Sequence, residues 1–245
     1  MRGCKVLIHE HPRLRKPVLI EGLPGIGFVA NILALHLISE LKASKFCDIR
    51  SPFFQDLAVT GQGGNLRFPI NSLYYARTGD EALGDLLILY GNTQALSPFG
   101  QYELYSEVIE IVEKLGCKLV ICIGGLPVER VLEKPRVYCT ATNINHVKGF
   151  EKQGVEVIRG RVYGAAGVLM GLGKLKGIEG CCLLAETPGT YPDAQAARVV
   201  LDVMCRFLHL NVNPERLAQA AQLAEKTLSV MALKTRERPQ PMGLI

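Results

Sequence analysis

Three short apolar runs, at residues 85–90, 118–123 and 180–185, constrain this chain more than any other feature. A strand that alternates apolar and polar residues can face water on one side. A strand buried on both faces reads instead as a continuous apolar run. Helical patterns separate these runs. Residues 101–115 carry Leu104, Val108, Ile111, Val112 and Leu115 at helical spacing, and Gly116 stands where a helix ends. Residues 164–172 and 193–208 read as further helices. Buried strands alternating with helices predict a three-layer α/β/α domain around a mixed, largely parallel sheet.

The remaining segments fit around that frame. Residues 6–8 and 18–22 read as strands, and residues 26–41 as a helix closed by the polar stretch 42–45. Residues 48–77 are rich in turn formers (Gly61, Gly63, Gly64, Pro69) and predict short antiparallel strands or a hairpin. Residues 136–142 form another candidate strand. Ser97-Pro98 and Gly124-Gly125-Leu126-Pro127 follow strands and are expected in surface loops. Asn213 and Pro214 start a last helix to about residue 234, as N-cap and first-turn proline. The expected organisation is a main α/β domain over residues 1–210, then a C-terminal helix and extended tail over 211–245.

Composition excludes several classes. The chain is 48% hydrophobic and 21% charged, which is globular and not disordered. The net charge of +5 comes partly from basic clusters at both ends, and no aromatics interleave with them as a single-strand nucleic-acid binder requires. Residues 1–20 are broken by charge and proline, and no apolar run is long enough to cross a bilayer. A cytoplasmic protein is expected, with no membrane or nucleic-acid partner. Its eight cysteines, at 4, 47, 117, 122, 139, 181, 182 and 205, contain no C-x-x-C and no zinc-finger spacing. They read as small buried hydrophobes, and no metal is expected. Adjacent Cys181 and Cys182 must point to opposite faces of a strand.

Three motifs stand out. Glu21-Gly22-Leu23-Pro24-Gly25-Ile26-Gly27-Phe28 follows a strand and opens a helix, the position of phosphate-binding loops. Gly22 and Gly27 have P-loop spacing, but Phe28 and Val29 occupy the places of the Lys and Ser/Thr that hold phosphate and magnesium. The glycines therefore read as a tight strand-to-helix turn, with no nucleotide cofactor. The second motif is Tyr163-Gly164-Ala165-Ala166-Gly167-Val168-Leu169, whose small residues let a helix lie close to a neighbour. In the third, a strand delivers Glu186 and Thr187 to its C-terminal end, and Pro192-Asp193 follow. Ligands of open α/β sheets bind at such ends. Glu186 as a general base lacks an evident partner, so the segment reads as structural, with Asp193 capping the next helix.

In this order the three motifs resemble the proteasome assembly chaperone family, most closely its archaeal members. The matching residues are Gly22, Pro24, Gly25 and Gly27; Tyr163, Gly164 and Gly167; and Glu186, Thr187, Pro192 and Asp193, then the paired Ala196-Ala197. The likeness spans about residues 4–210. It implies a phosphorylase/hydrolase-like α/β/α fold, homo-oligomers, no catalytic residues, and a chaperone role towards proteasome core-particle subunits. Some archaeal members, and proteasome activators generally, end in a hydrophobic–Tyr–any-residue tail that docks between α-subunits. Here Met242, Leu244 and Ile245 supply apolar side chains for partner binding, without the tyrosine. The competing expectation is an enzyme or small-ligand binder that uses the glycine turn and Glu186. An exposed Glu186 in a deep pocket would favour it; a Glu186 bonded to backbone would favour the chaperone.

Overall fold

The computed structural model describes residues 3–60, 63–79, 83–129, 134–189 and 192–223. Among them, nine strands form one sheet. In chain order they are β1 (Lys5–Ile8), β2 (Val18–Gly22), β3 (Ser44–Arg50), β6 (Asn71–Ala76), β7 (Leu86–Gly91), β8 (Leu119–Pro127), β9 (Val137–Ala141), β10 (Glu156–Val157) and β11 (Glu179–Thr187). Between β3 and β6, β4 (Val59–Thr60) and β5 (Leu66–Arg67) make a separate two-stranded hairpin. The helices are α1 (Val29–Glu40), α2 (Pro98–Lys114), α3 (Ile144–Glu151), α4 (Gly164–Leu175) and α5 (Ala194–Leu208).

The strand order is β1-β3-β6-β7-β2-β8-β11-β9-β10. The central four, β7-β2-β8-β11, run parallel, and β1, β3, β6 and β9 add antiparallel pairings at the flanks. Successive residues of each central strand serve opposite faces. Val18, Ile20, Ile121, Ile123, Cys181 and Leu183 pack under α1, α3 and α5. Leu19, Leu87, Leu89, Val120, Cys122 and Cys182 pack under α2 and α4. The three-layer α/β/α expectation holds, and Cys181 and Cys182 face opposite sides. Burial pushes the Cys181 thiol up to about 12, so it stays protonated and apolar in character.

Local chemistry explains where the elements begin. Ser97 caps α2: its hydroxyl accepts from the Gly100 N–H at 3.1 Å, with Pro98 in the first turn. The loop expectation for Ser97-Pro98 is therefore corrected to a helix start. Likewise Gly124–Pro127 is strand rather than loop, because β11 pairs with β8 as far as Thr187 opposite Pro127. Lys45 belongs to β3 rather than to a helix end. The stripe of α2 is rotated: Tyr105 and Ile109 are buried, whereas Ile111 and Leu115 are half-buried. Helix α3 follows β9 and was not anticipated; eight residues with Val147 and Phe150 inward carry little periodic signal. Residues 217–223 are helical, preceded by Asn213, whose side chain accepts from the Glu215 N–H at 2.9 Å. Leu217, Ala220 and Ala221 join the core beside α1 and α5. No helix among the described residues is long and apolar enough to cross a membrane.

Candidate functional site

Parallel topology brings the C-terminal ends of β2, β7, β8 and β11 to one edge of the sheet, with the starts of α1, α2, α4 and α5 beside them. All three sequence motifs meet there.

Gly22 ends β2, and an added Cβ would lie 2.0 Å from the Ala34 Cβ, so α1 rests directly on the strand. The turn then passes through a short 3-10 segment, Ile26–Phe28. Gly27 has φ +63° and Phe28 φ +52°, both in the left-handed region. This kink splits the helix expected over residues 26–41. Asn31, in the first turn of α1, donates to the carbonyls of Gly22 (3.2 Å) and Gly91 (2.9 Å) and ties β2 to β7.

The glycine turn is packed against the Glu-Thr segment. A Cβ on Gly27 would lie 2.7 Å from Thr187 Oγ1, and a Cβ on Gly125 would lie 2.4 Å from the Ile26 carbonyl. The Asp193 N–H donates to the Gly27 carbonyl at 2.8 Å. The Thr187 hydroxyl donates to Asp193 Oδ2 at 2.7 Å, and Asp193 Oδ1 accepts from the Ala196 N–H at 2.9 Å. Pro192 is half-buried before it.

Gln94 connects the remaining motif. Its Nε2 donates to the Pro24 carbonyl at 2.6 Å, and its Oε1 accepts from the Ala165 N–H and the Tyr105 hydroxyl, each at 3.3 Å. Gly164 enters α4 at φ +69°, and a Cβ on Gly167 would lie 2.4 Å from the Val162 carbonyl. Gln94 and Tyr105 were missed from sequence, since neither belongs to a motif. Tyr163 is exposed, and its hydroxyl accepts from Arg161 at 3.3 Å. Gly25 is exposed in extended backbone. Met242, Leu244 and Ile245 lie outside the described residues.

Two buried carboxylates frame this edge. Glu186 is 3% exposed. It accepts from the Arg136 N–H (3.1 Å), the Arg136 guanidinium (2.7 and 2.9 Å) and the Tyr138 hydroxyl (2.9 Å). Burial alone would raise its pKa. The Arg136 side chain, the backbone bond and Tyr138 outweigh that and hold it below the usual carboxylate range. A base in this state has its lone pairs engaged and no free face for a substrate proton. Glu21 is 2% exposed and accepts from the amides of Leu23 (2.8 Å) and Ile123 (3.4 Å). Desolvation dominates there and pushes its pKa up to about 7. Its signal in the sequence is an acid inside an apolar strand. Among the described residues there is no group of three or more His, Cys, Asp or Glu side chains that could hold a metal.

The same edge presents apolar side chains to solvent: Ile26 after β2, Leu96 and Phe99 at the start of α2, and Tyr163 at the start of α4. Phe99 stacks edge-on against Phe53 with ring centroids 5.4 Å apart.

The chain matches the PAC2 family over residues 19–232. Among curated proteins it is 34% identical over 215 residues to the uncharacterized protein MJ1210 of Methanocaldococcus jannaschii, spanning 87% of this chain and 82% of that one. Among solved structures it is similar to Pyrococcus furiosus PbaB, an archaeal proteasome activator. The TM-score is 0.84 and the identity 33%, over 97% of this chain and 100% of the other. It is also similar to Pyrococcus furiosus PbaA, an archaeal homolog of proteasome-assembly chaperone, with TM-score 0.75 and 25% identity over 96% and 100% of the two chains. With the motif residues converging on one sheet edge and a family match over most of its length, the chain belongs to the PAC2 family.

Proposed function

We propose that this protein is a non-catalytic, homo-oligomeric chaperone of the cytoplasm that binds proteasome core-particle subunits. One observation carries the non-catalytic part. Glu186, the acid that an enzyme at this edge would use, is engaged by a backbone amide, a guanidinium and a tyrosine hydroxyl. Gly27, Thr187 and Asp193 beside it are hydrogen-bonded or packed against one another and hold the edge in shape. The similarity to PbaB and PbaA supports the choice of partner.

The client face we assign is the apolar rim of that edge: Ile26, Leu96, Phe99 and Tyr163. Exposed aromatic side chains such as Phe99 and Tyr163, held on a rigid frame, are common anchors of protein interfaces. The tail residues Met242, Leu244 and Ile245 form a second, weaker contact. Affinity capture from a native lysate, read by mass spectrometry, tests the reading. Enrichment of proteasome α- or β-subunits supports it, and enrichment lost in Phe99→Asp but retained in Glu186→Gln supports the rim. Capture with no proteasome subunit above background counts against it.

A further inference from the structure

We propose that His36 is a pH-sensitive latch: the neutral imidazole fastens the C-terminal segment, residues 210–223, to α1, and protonation of the ring releases that segment. The segment joins the domain to the residues assigned above as a second client contact, Met242, Leu244 and Ile245, so the latch governs how that contact is tethered. The latch itself does not depend on the identity of the client.

His36 is 1% exposed, in a helix that otherwise buries only apolar side chains and Asn31. Its Nε2 is buried with no hydrogen-bond partner among the described residues. The backbone of Asn213 hydrogen-bonds the ring from the C-terminal segment. One turn along α1, Glu40 pairs with Arg216 of the same segment at 3.5 Å. Leu210, Leu217, Ala220 and Ala221 are buried in the core shared with α1 and α5, and Val212 packs against it. The segment therefore meets α1 through an apolar face, one ion pair and one bond to a buried imidazole.

The charges around the ring do not offer it a counter-ion to spare. Glu40, on the same helix, attracts positive charge on the ring, but Arg216 already engages it. Arg198 on α5 repels such a charge, while its Nε donates to Asp202 at 3.3 Å. Burial is the largest influence and holds the ring's pKa below the ordinary imidazole value, against the pull of the Asn213 bond and of Glu40. An imidazolium carries two N–H donors, and the one on Nε2 would be buried without an acceptor. Lifting the segment admits water to that nitrogen. The closed form thus binds the proton less tightly than the open form. Closure is complete above about pH 6.5 and weakens as pH falls below it, by up to about tenfold per pH unit for a single proton.

The test is hydrogen exchange by mass spectrometry on the full chain at pH 7.5 and 5.0, corrected for the intrinsic pH dependence of amide exchange. Peptides spanning residues 210–223 should lose about five- to thirtyfold of their protection at pH 5.0, while β8 and β11 keep theirs. His36→Gln, which keeps a polar side chain but takes up no proton, should hold the protection of residues 210–223 level across the two pH values. His209→Asn, next to the segment but outside the cluster, should leave the wild-type loss in place. Protection that does not change with pH in the wild type, or that falls equally in His36→Gln, overturns the latch. A loss shared equally by β8 and β11 is global unfolding and also overturns it. Should His36→Gln fail to fold, imidazole NMR titration of the wild type decides. The His36 ring must stay neutral while the segment is protected and titrate together with its opening; a ring that takes up its proton with the segment still closed refutes the proposal.

Discussion

Replacing Asp193 with alanine should cost stability, because its carboxylate closes two separate gaps. Oδ1 accepts from the Ala196 N–H at the start of α5, and loss of such a cap costs about 0.5–2 kcal/mol. Oδ2 accepts from the hydroxyl of Thr187, which is 1% exposed. Removing that partner leaves a buried donor unpaired, a cost of about 1–3 kcal/mol. Together the loss is about 1.5–5 kcal/mol, which lowers Tm by roughly 3–20 °C for a domain of this size. Thermal and urea unfolding of the wild type, Asp193→Ala, Thr187→Val and the double variant form a cycle. A coupling of about 1 kcal/mol between the two sites is expected, since they share one hydrogen bond. An unchanged Tm in Asp193→Ala, together with lost client binding, would refute the structural role and make the carboxylate a contact residue.

Two further outcomes follow from the same edge. Glu21 has a folded-state pKa of about 7 against an ordinary 4.5, so the folded chain binds the extra proton. Stability from this group is complete below about pH 4.5 and is lost as pH rises through 7, by up to about 3 kcal/mol. Glu21→Gln should flatten that part of the pH–stability curve measured by urea unfolding; an unchanged slope would show that the carboxyl titrates normally. With Phe28 and Val29 in place of a P-loop Lys and Ser/Thr, calorimetric titration with ATP and magnesium should be flat, and a micromolar dissociation constant would overturn the reading of the glycine turn.

Much of the frame was legible because it rests on local signals. The continuous apolar runs marked β7, β8 and β11, and capping chemistry marked Asp193 as the start of α5. What escaped depends on tertiary contact. Gly124 and Gly125 read as loop formers, yet both pair with β11 in strand, and at Gly125 the Ile26 carbonyl and Thr187 approach too closely for any side chain. Ser97-Pro98 has the composition of a turn and of a helix start alike, and packing of Phe53 against Gly100 belongs to the second. Gln94 carries no motif, yet it joins Pro24, 70 residues before it, to Ala165, 71 residues after it. Arg136 and Tyr138, the partners that silence Glu186, are about 50 residues from it in sequence, and pairing of β9 with β11 brings them together.

The central claim is that this edge of the molecule binds proteasome subunits and performs no chemistry. Titration of purified full-length protein against recombinant proteasome α-subunits, followed by sedimentation velocity, tests it most directly. The account predicts a saturable complex that Phe99→Asp and Leu96→Asp weaken at least tenfold, while Glu186→Gln leaves the affinity within about twofold of wild type. No complex at concentrations of tens of micromolar, or a complex indifferent to both rim substitutions and abolished by Glu186→Gln, would contradict it.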